Sequence, residues 1–158
     1  AEGFLHYGQL TVDQAIAGLP ESAWETPGVV GVWSVKDIIA HLASFEKLLV
    51  DVLCQVQGQK PTPTLDRFIE LGNARFNDVE VAERKGMTVQ EVWAEFEETA
   101  VQAQNLLAQI PIDQRRRTGA LAWYGAEYDL EDYIAYSNYA HKREHCAQIG
   151  VFRDKTNQ

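Results

Sequence analysis

The chain holds four histidines, His6, His41, His141 and His145, and the last two stand four residues apart in SNYAHKREHCAQIG. On an α-helix that spacing puts both imidazoles on one face, with Cβ atoms roughly 5–6 Å apart. Rings so placed can converge on one ion at metal–nitrogen distances of about 2.0–2.1 Å. The pair lies on the apolar stripe of its helix, between Ile134 and Ile149. Imidazoles in a core need hydrogen-bond partners or a metal, so satisfied core histidines are the plain alternative. A third imidazole would tip the balance. His41, in DIIAHLASFE, sits beside the apolar stripe of an earlier helix. Three neutral imidazoles leave an open position on zinc or nickel, as catalytic sites do. A water held there ionises near pH 7, and a thiol is held as the thiolate.

Other arrangements are weaker. Position 142 is Lys, so the H-E-x-x-H metalloprotease base is absent. Asp37 precedes His41 by one turn, but helix capping explains it more simply. Glu144 adjoins His145 and should point off the metal face. Asn138, one turn before His141, is the better candidate for a residue supporting a ligand. His6 reads as a surface residue. Cys54 is about 20 Å along its helix from His41, and Cys146 points about 100° away from His145. No Ser/His/Asp or Cys/His triad stands out. With two cysteines and no C-x-x-C, there is neither a disulfide framework nor a cysteine-type zinc site. A reducing cytoplasm is the expected compartment.

Helices must position these residues. Turn-forming stretches fall at 25–31, 58–64, 85–87 and 110–119, and between them the apolar spacing is helical. Three starts share one design: Ser34 with Asp37, Thr88 with Glu91, and Asp129 with Asp132 each form a capping box. Apolar neighbours staple each start, Trp33 onto Ile38 and Met87 onto Val92 among them. One stripe runs through Ile38, Leu42, Phe45, Leu49, Val52 and Val56. A second runs through Val92, Phe96, Ala100, Ala103, Leu107 and Ile110. A further helix is expected over 2–18, and a shorter one over 66–85.

The sum is an all-α four-helix bundle over residues 1–158 as a single domain. The three histidines meet only if the second helix is antiparallel to the fourth. The long segment 57–87 permits this by crossing the bundle between helices two and three. On that topology Trp33 and Trp93, with Trp24, are candidates to line the mouth of the site, with core or staple packing the plainer alternative for each, and Trp123 and Tyr124 should lie at the opposite end.

The formal charge of −9 and pI of about 4.8 repel phosphate backbones, so nucleic acid is not an expected partner. Arg115, Arg116 and Arg117 read as a solvated loop. No apolar run nears the roughly 20 residues that span a bilayer, and the first residues lack a signal-peptide pattern.

WSVKDIIAHLASFE followed far downstream by HKREHCAQI resembles the DinB/YfiT-like superfamily of four-helix metalloproteins, the damage-inducible family and not the polymerase. Trp33, Ser34, Asp37 and His41 match its first motif, and His141, His145, Gln148 and Ile149 its second. The resemblance covers most of the chain. It implies His41, His141 and His145 as ligands to a divalent metal, zinc or nickel foremost. WSVKDIIAHLASFEKLLV is also similar to the colibactin self-resistance branch, whose hydrolases open an electrophilic cyclopropane. That branch keeps one histidine in its last helix, so His145 favours the three-histidine branch. Related thiol-dependent transferases and isomerases use a low-molecular-weight thiol as cosubstrate. The expectation is an enzyme acting on a small electrophilic molecule through metal-bound water or such a thiol, with a homodimer allowed. The alternative is a non-catalytic bundle that binds a metal or small ligand.

Overall fold

A computed structural model describes residues 1–156. The described chain is all-helical. Its elements are α1 (Glu2–Ile16), α2 (Glu21–Trp24), α3 (Val35–Val56), α4 (Pro63–Leu71), α5 (Asn73–Glu83), α6 (Val89–Ala108), α7 (Ile112–Arg115) and α8 (Leu130–Tyr133). A π-helical stretch, Ile134–Ala140, then leads into α9 (His141–Thr156).

The three capping boxes form. Ser34 Oγ accepts from the Asp37 amide at 3.2 Å, and Asp37 Oδ2 accepts from the Ser34 amide at 3.0 Å. Thr88 with Glu91, and Asp129 with Asp132, repeat this reciprocal arrangement. Each box satisfies two amides that an α-helix leaves without partners at its start. The expected helix over 66–85 is instead two helices, α4 and α5. Gly72 divides them at φ 72°, a conformation that side chains other than glycine rarely adopt.

α3 is the centre of the molecule. Every residue from Val35 to Leu53 except Phe45 and Lys47 is buried. Two apolar clusters fix the directions of its neighbours. One joins Leu49, Val52 and Leu53 to Ala103 and Leu107 of α6, to Leu130, Tyr133 and Ile134, and to Leu5 of α1. The other joins Val35, Ile38 and Leu42 to Val92 and Phe96, to Ile149 and Phe152, and to Val12. Start therefore meets start between α3 and α6, which run the same way. The start of α3 meets the end of α9, so the last helical run is antiparallel to α3. α4 and α5 pack on the flank of α3 that α6 and α9 leave uncovered.

The π-helical stretch keeps one face of the last run inward. Its inward residues come in pairs spaced by four: Leu130, then Tyr133 and Ile134, Ser137 and Asn138, His141 and Lys142, His145 and Cys146, then Ile149. In a plain α-helix, four residues turn about 400°, so such a row drifts about 40° per step. The wider i→i+5 turns of a π-helix rotate less per residue and cancel much of that drift.

Candidate metal centre

His41 lies in the second turn of α3, and His141 opens α9 with His145 one turn on. The antiparallel course of α3 and α9 brings the three rings together. His41 Nε2 is 2.8 Å from His141 Nε2, and His145 Nε2 is 3.0 Å from His141 Nε2. The three ligand atoms all lie within 4.8 Å of one another. Tetrahedral bonds of about 2.05 Å place nitrogens about 3.3 Å apart. The two short separations would therefore widen by a few tenths of an ångström around an ion.

Protons alone cannot satisfy this cluster. Gln148 Oε1 accepts from His145 Nδ1 at 2.7 Å, so the neutral His145 ring presents a bare Nε2. His141 Nε2 faces both other rings. If it carries a proton, that proton points to one neighbour and leaves the other unserved. If it carries none, two lone pairs meet at 3.0 Å. A cation among the three nitrogens resolves this, and the donor set of three imidazoles suits zinc and other imidazole-binding divalent metals.

The surroundings hold the rings neutral. Burial, then the neighbouring imidazoles, push His41 down to about 2. Burial, then His145 and Lys142, push His141 down to about 3. Burial also lowers His145, against the opposing effects of Gln148 and Glu144. Neutral imidazole is the form that binds metal.

Gln148, not Asn138, supports a candidate ligand directly. Its place three residues after His145 on one helix face is the signal that identifies it. Asn138 belongs to a separate buried polar group and donates to Glu46 Oε1 at 2.7 Å. Lys142 Nζ lies 2.8 Å from the same carboxylate oxygen but off the hydrogen-bonding direction. Its charge also sits 5.5 Å from the centre of the Phe96 ring. Both Lys142 and Glu46 are 1% exposed. Nothing in the apolar spacing announces this pair, since a lysine and a glutamate at core positions of two helices read as exposed residues.

Trp33 packs on His41, with ring centroids 5.2 Å apart, and Phe45 also packs on it at 4.8 Å. Trp93 packs edge-on to Trp24 at 6.2 Å, and the two line a groove other than the one His141 borders. Asp37 is held by its cap and by Lys85 Nζ at 2.8 Å. Burial pushes its carboxyl up, but Lys85 and Ser34 outweigh it and leave it below its ordinary value. His6 is exposed. Cys146 is in the core, where burial pushes its thiol up to about 11.

Trp123 and Tyr124 lie toward the far end of α3 from His41, as expected: the Trp123 indole donates to Gln55 Oε1 at 3.1 Å, and both rings pack on the cluster that holds Leu53 and Leu121. From there they line, with Phe45, Phe68, Tyr133 and Tyr136, a cavity of about 390 Å³ whose other end His141 borders. The cavity runs along the last helical run from Tyr133 to Glu144, a rise of about 16 Å at 1.5 Å per residue. It thus joins the turn-rich segment before α8 to the candidate metal centre. Its size falls within the range of roughly 300–1,000 Å³ usual for small-molecule sites.

The family model of the DinB superfamily matches residues 5–149. No curated protein and no solved structure matches the chain.

Proposed function

This chain belongs to the DinB superfamily, and from that premise we propose that it is a divalent-metal-dependent enzyme acting on a small electrophilic molecule. One observation carries the reading: three imidazole nitrogens converge, and one of the three rings, His141, borders an aromatic cavity. His41, His141 and His145 would hold the ion, zinc or nickel foremost, which would supply Lewis acidity and favour the deprotonated form of a water or a low-molecular-weight thiol.

The chain's own residues do the rest. Gln148 fixes the His145 ring with its lone pair inward. Trp33 and Phe45 both pack against the His41 ring. Burial keeps all three imidazoles unprotonated. The aromatic walls bind the substrate and exclude water beside His141. Position 142 offers no carboxylate to act as a general base, since it is Lys142, turned inward onto Glu46.

The test begins with elemental analysis of the native protein, where about one equivalent of divalent metal is expected. A screen of electrophiles with and without thiol then separates the two nucleophiles. A thiol reaction needs the added thiol and persists below the free thiol's pKa of roughly 8.5. A water reaction is thiol-independent and rises through about pH 7. Turnover that survives complete removal of metal would refute both.

A further inference from the structure

We propose that Tyr124 is the hydrogen-bond donor of the cavity beside His141 and holds the substrate by an oxygen, so that the substrate is a flat electrophile activated through that oxygen. This deepens the functional reading above and rests on it for the reaction, though not for binding.

Hydrogen-bond accounting is the first observation. Ser137 Oγ donates to the Tyr124 hydroxyl at 3.2 Å. Each hydroxyl carries one proton. The pair therefore has two protons and one shared bond, and among the described residues no group accepts the second proton. With Ser137 donating, the proton left over is the phenolic one. Both side chains line the cavity that His141 borders, so a ligand there can accept from it. A mostly apolar site orients its ligand through a few polar groups of this kind.

Rigidity is the second. The Tyr124 ring packs on Tyr133 at 5.1 Å, on Tyr128 at 5.2 Å and on Trp123 at 5.9 Å. The Tyr124 amide donates to the Leu121 carbonyl at 2.8 Å, and the Gly125 amide donates to the same oxygen at 3.1 Å. Gly125 lets Tyr128 close in, since a Cβ there would stand 2.7 Å from the Tyr128 ring. The donor is thus in place before any ligand arrives. A donor so fixed costs no reorganisation when charge develops on its acceptor.

Position is the third. Ser137 stands four residues before His141 in the inward row of the last helical run, with Cβ atoms roughly 5–6 Å apart. An oxygen on Tyr124 therefore lies on the order of one helical turn from the His141 ring. The carbon of a simple carbonyl is only about 1.2 Å from its oxygen. In a conjugated carbonyl a second electrophilic carbon lies further along the chain, and the molecule is flat, as walls of edge-to-face rings favour. When a nucleophile adds there, its electron pair makes the bond to carbon and the displaced pair moves through the conjugated system onto the oxygen. The Tyr124 O–H meets that charge, and the bond from Ser137 strengthens it as a donor. An ion held by the histidines stays free for the nucleophile, because the oxygen has its own partner.

The experiment titrates trans-4-(dimethylamino)cinnamaldehyde into metal-free and metal-loaded protein and follows its absorption. This dye is a flat conjugated carbonyl whose band moves to the red when its oxygen accepts a hydrogen bond or binds a metal ion. Tyr124→Phe keeps the ring and removes the hydroxyl. It should lose most of the red shift in both forms of the protein and weaken binding roughly two- to ten-fold. Ser137→Ala should keep the shift in reduced form. An unchanged shift in metal-free Tyr124→Phe would overturn the proposal, as would a shift that Ser137→Ala removes and Tyr124→Phe does not. A shift in the loaded protein that survives Tyr124→Phe and vanishes on chelation would place the oxygen on the ion and overturn it too. Metal content of the same samples tests the earlier reading separately. Protein that takes up no ion yet loses the shift in Tyr124→Phe refutes the metal reading alone. Protein that holds an ion but shows the same shift with and without the Tyr124 hydroxyl refutes this one alone.

Discussion

At the scale of single residues, the histidines make two predictions. Gln148→Ala should weaken divalent metal binding by roughly 10- to 100-fold, as loss of a ligand's supporting partner does, whereas His41→Ala, His141→Ala or His145→Ala should abolish it. Competition against a metal indicator measures both. A Gln148→Ala protein with unchanged affinity would show that the 2.7 Å contact to His145 does not orient that ring. The second prediction concerns pH. In the metal-free protein His41 is pushed down to about 2, against about 6.5 when unfolded. The unfolded chain therefore binds the extra proton as pH falls below about 6.5, and stability falls with it. At pH 5 the penalty from one such histidine is about 2 kcal/mol. Melting curves of metal-free protein should show this loss between pH 7 and pH 5, and His41→Phe should flatten it. An equal slope in that variant would assign the acid sensitivity elsewhere. The same three histidines were legible from spacing, because an i, i+4 pair and a lone histidine beside an inward stripe are patterns of position. Gln148 was legible as part of a motif, but its role required the ring orientation.

At the scale of elements, the helix starts were the most readable part of the chain. Ser34, Thr88 and Asp129 cap locally, so their chemistry depends only on residues three positions away. Features that depend on a distant partner were not readable. A stripe suggested one buried face for α3, but α4 and α5 cover its remaining flank. The cavity that Trp123 lines could not be read from its sequence position because its neighbours there, Phe68 and Tyr133, come from two other elements. The π-helical stretch was hidden because pairs spaced by four fit an α-helix over any short window. The buried Lys142–Glu46 pair joins α9 to α3 and allows a test. Lys142→Met leaves the Glu46 carboxylate buried with only Asn138 donating to it. That should cost roughly 3–5 kcal/mol, whereas Lys142→Met with Glu46→Leu should recover most of the loss. Urea denaturation of the two single variants and the double variant closes the cycle. A double variant no better than Lys142→Met would mean that the lysine stem, which fits against Gly8 of α1, matters more than the charge.

At the scale of the whole molecule, the question is whether the bundle needs its ion. The two apolar clusters are built from buried aliphatic and aromatic side chains and a cysteine, and draw on α1, α3, α6 and the last helical run. The starts of α3, α6 and α8 are capped by their own side chains, and the ion network of Arg67, Glu80, Arg84 and Glu95 ties α4, α5 and α6 together without the site. The metal should therefore add stability by mass action and not create the fold. An ion free at 100 times its dissociation constant contributes about 2.7 kcal/mol. For a chain of this size each kcal/mol moves the melting temperature by roughly 2–4 °C. Chelation should then lower the midpoint by roughly 5–10 °C while the helical circular-dichroism signal at 25 °C stays intact. Collapse of that signal on chelation would make the histidine cluster a structural staple, as in zinc fingers that are unfolded without metal, and would remove the reason to read its remaining coordination position as a place where chemistry occurs.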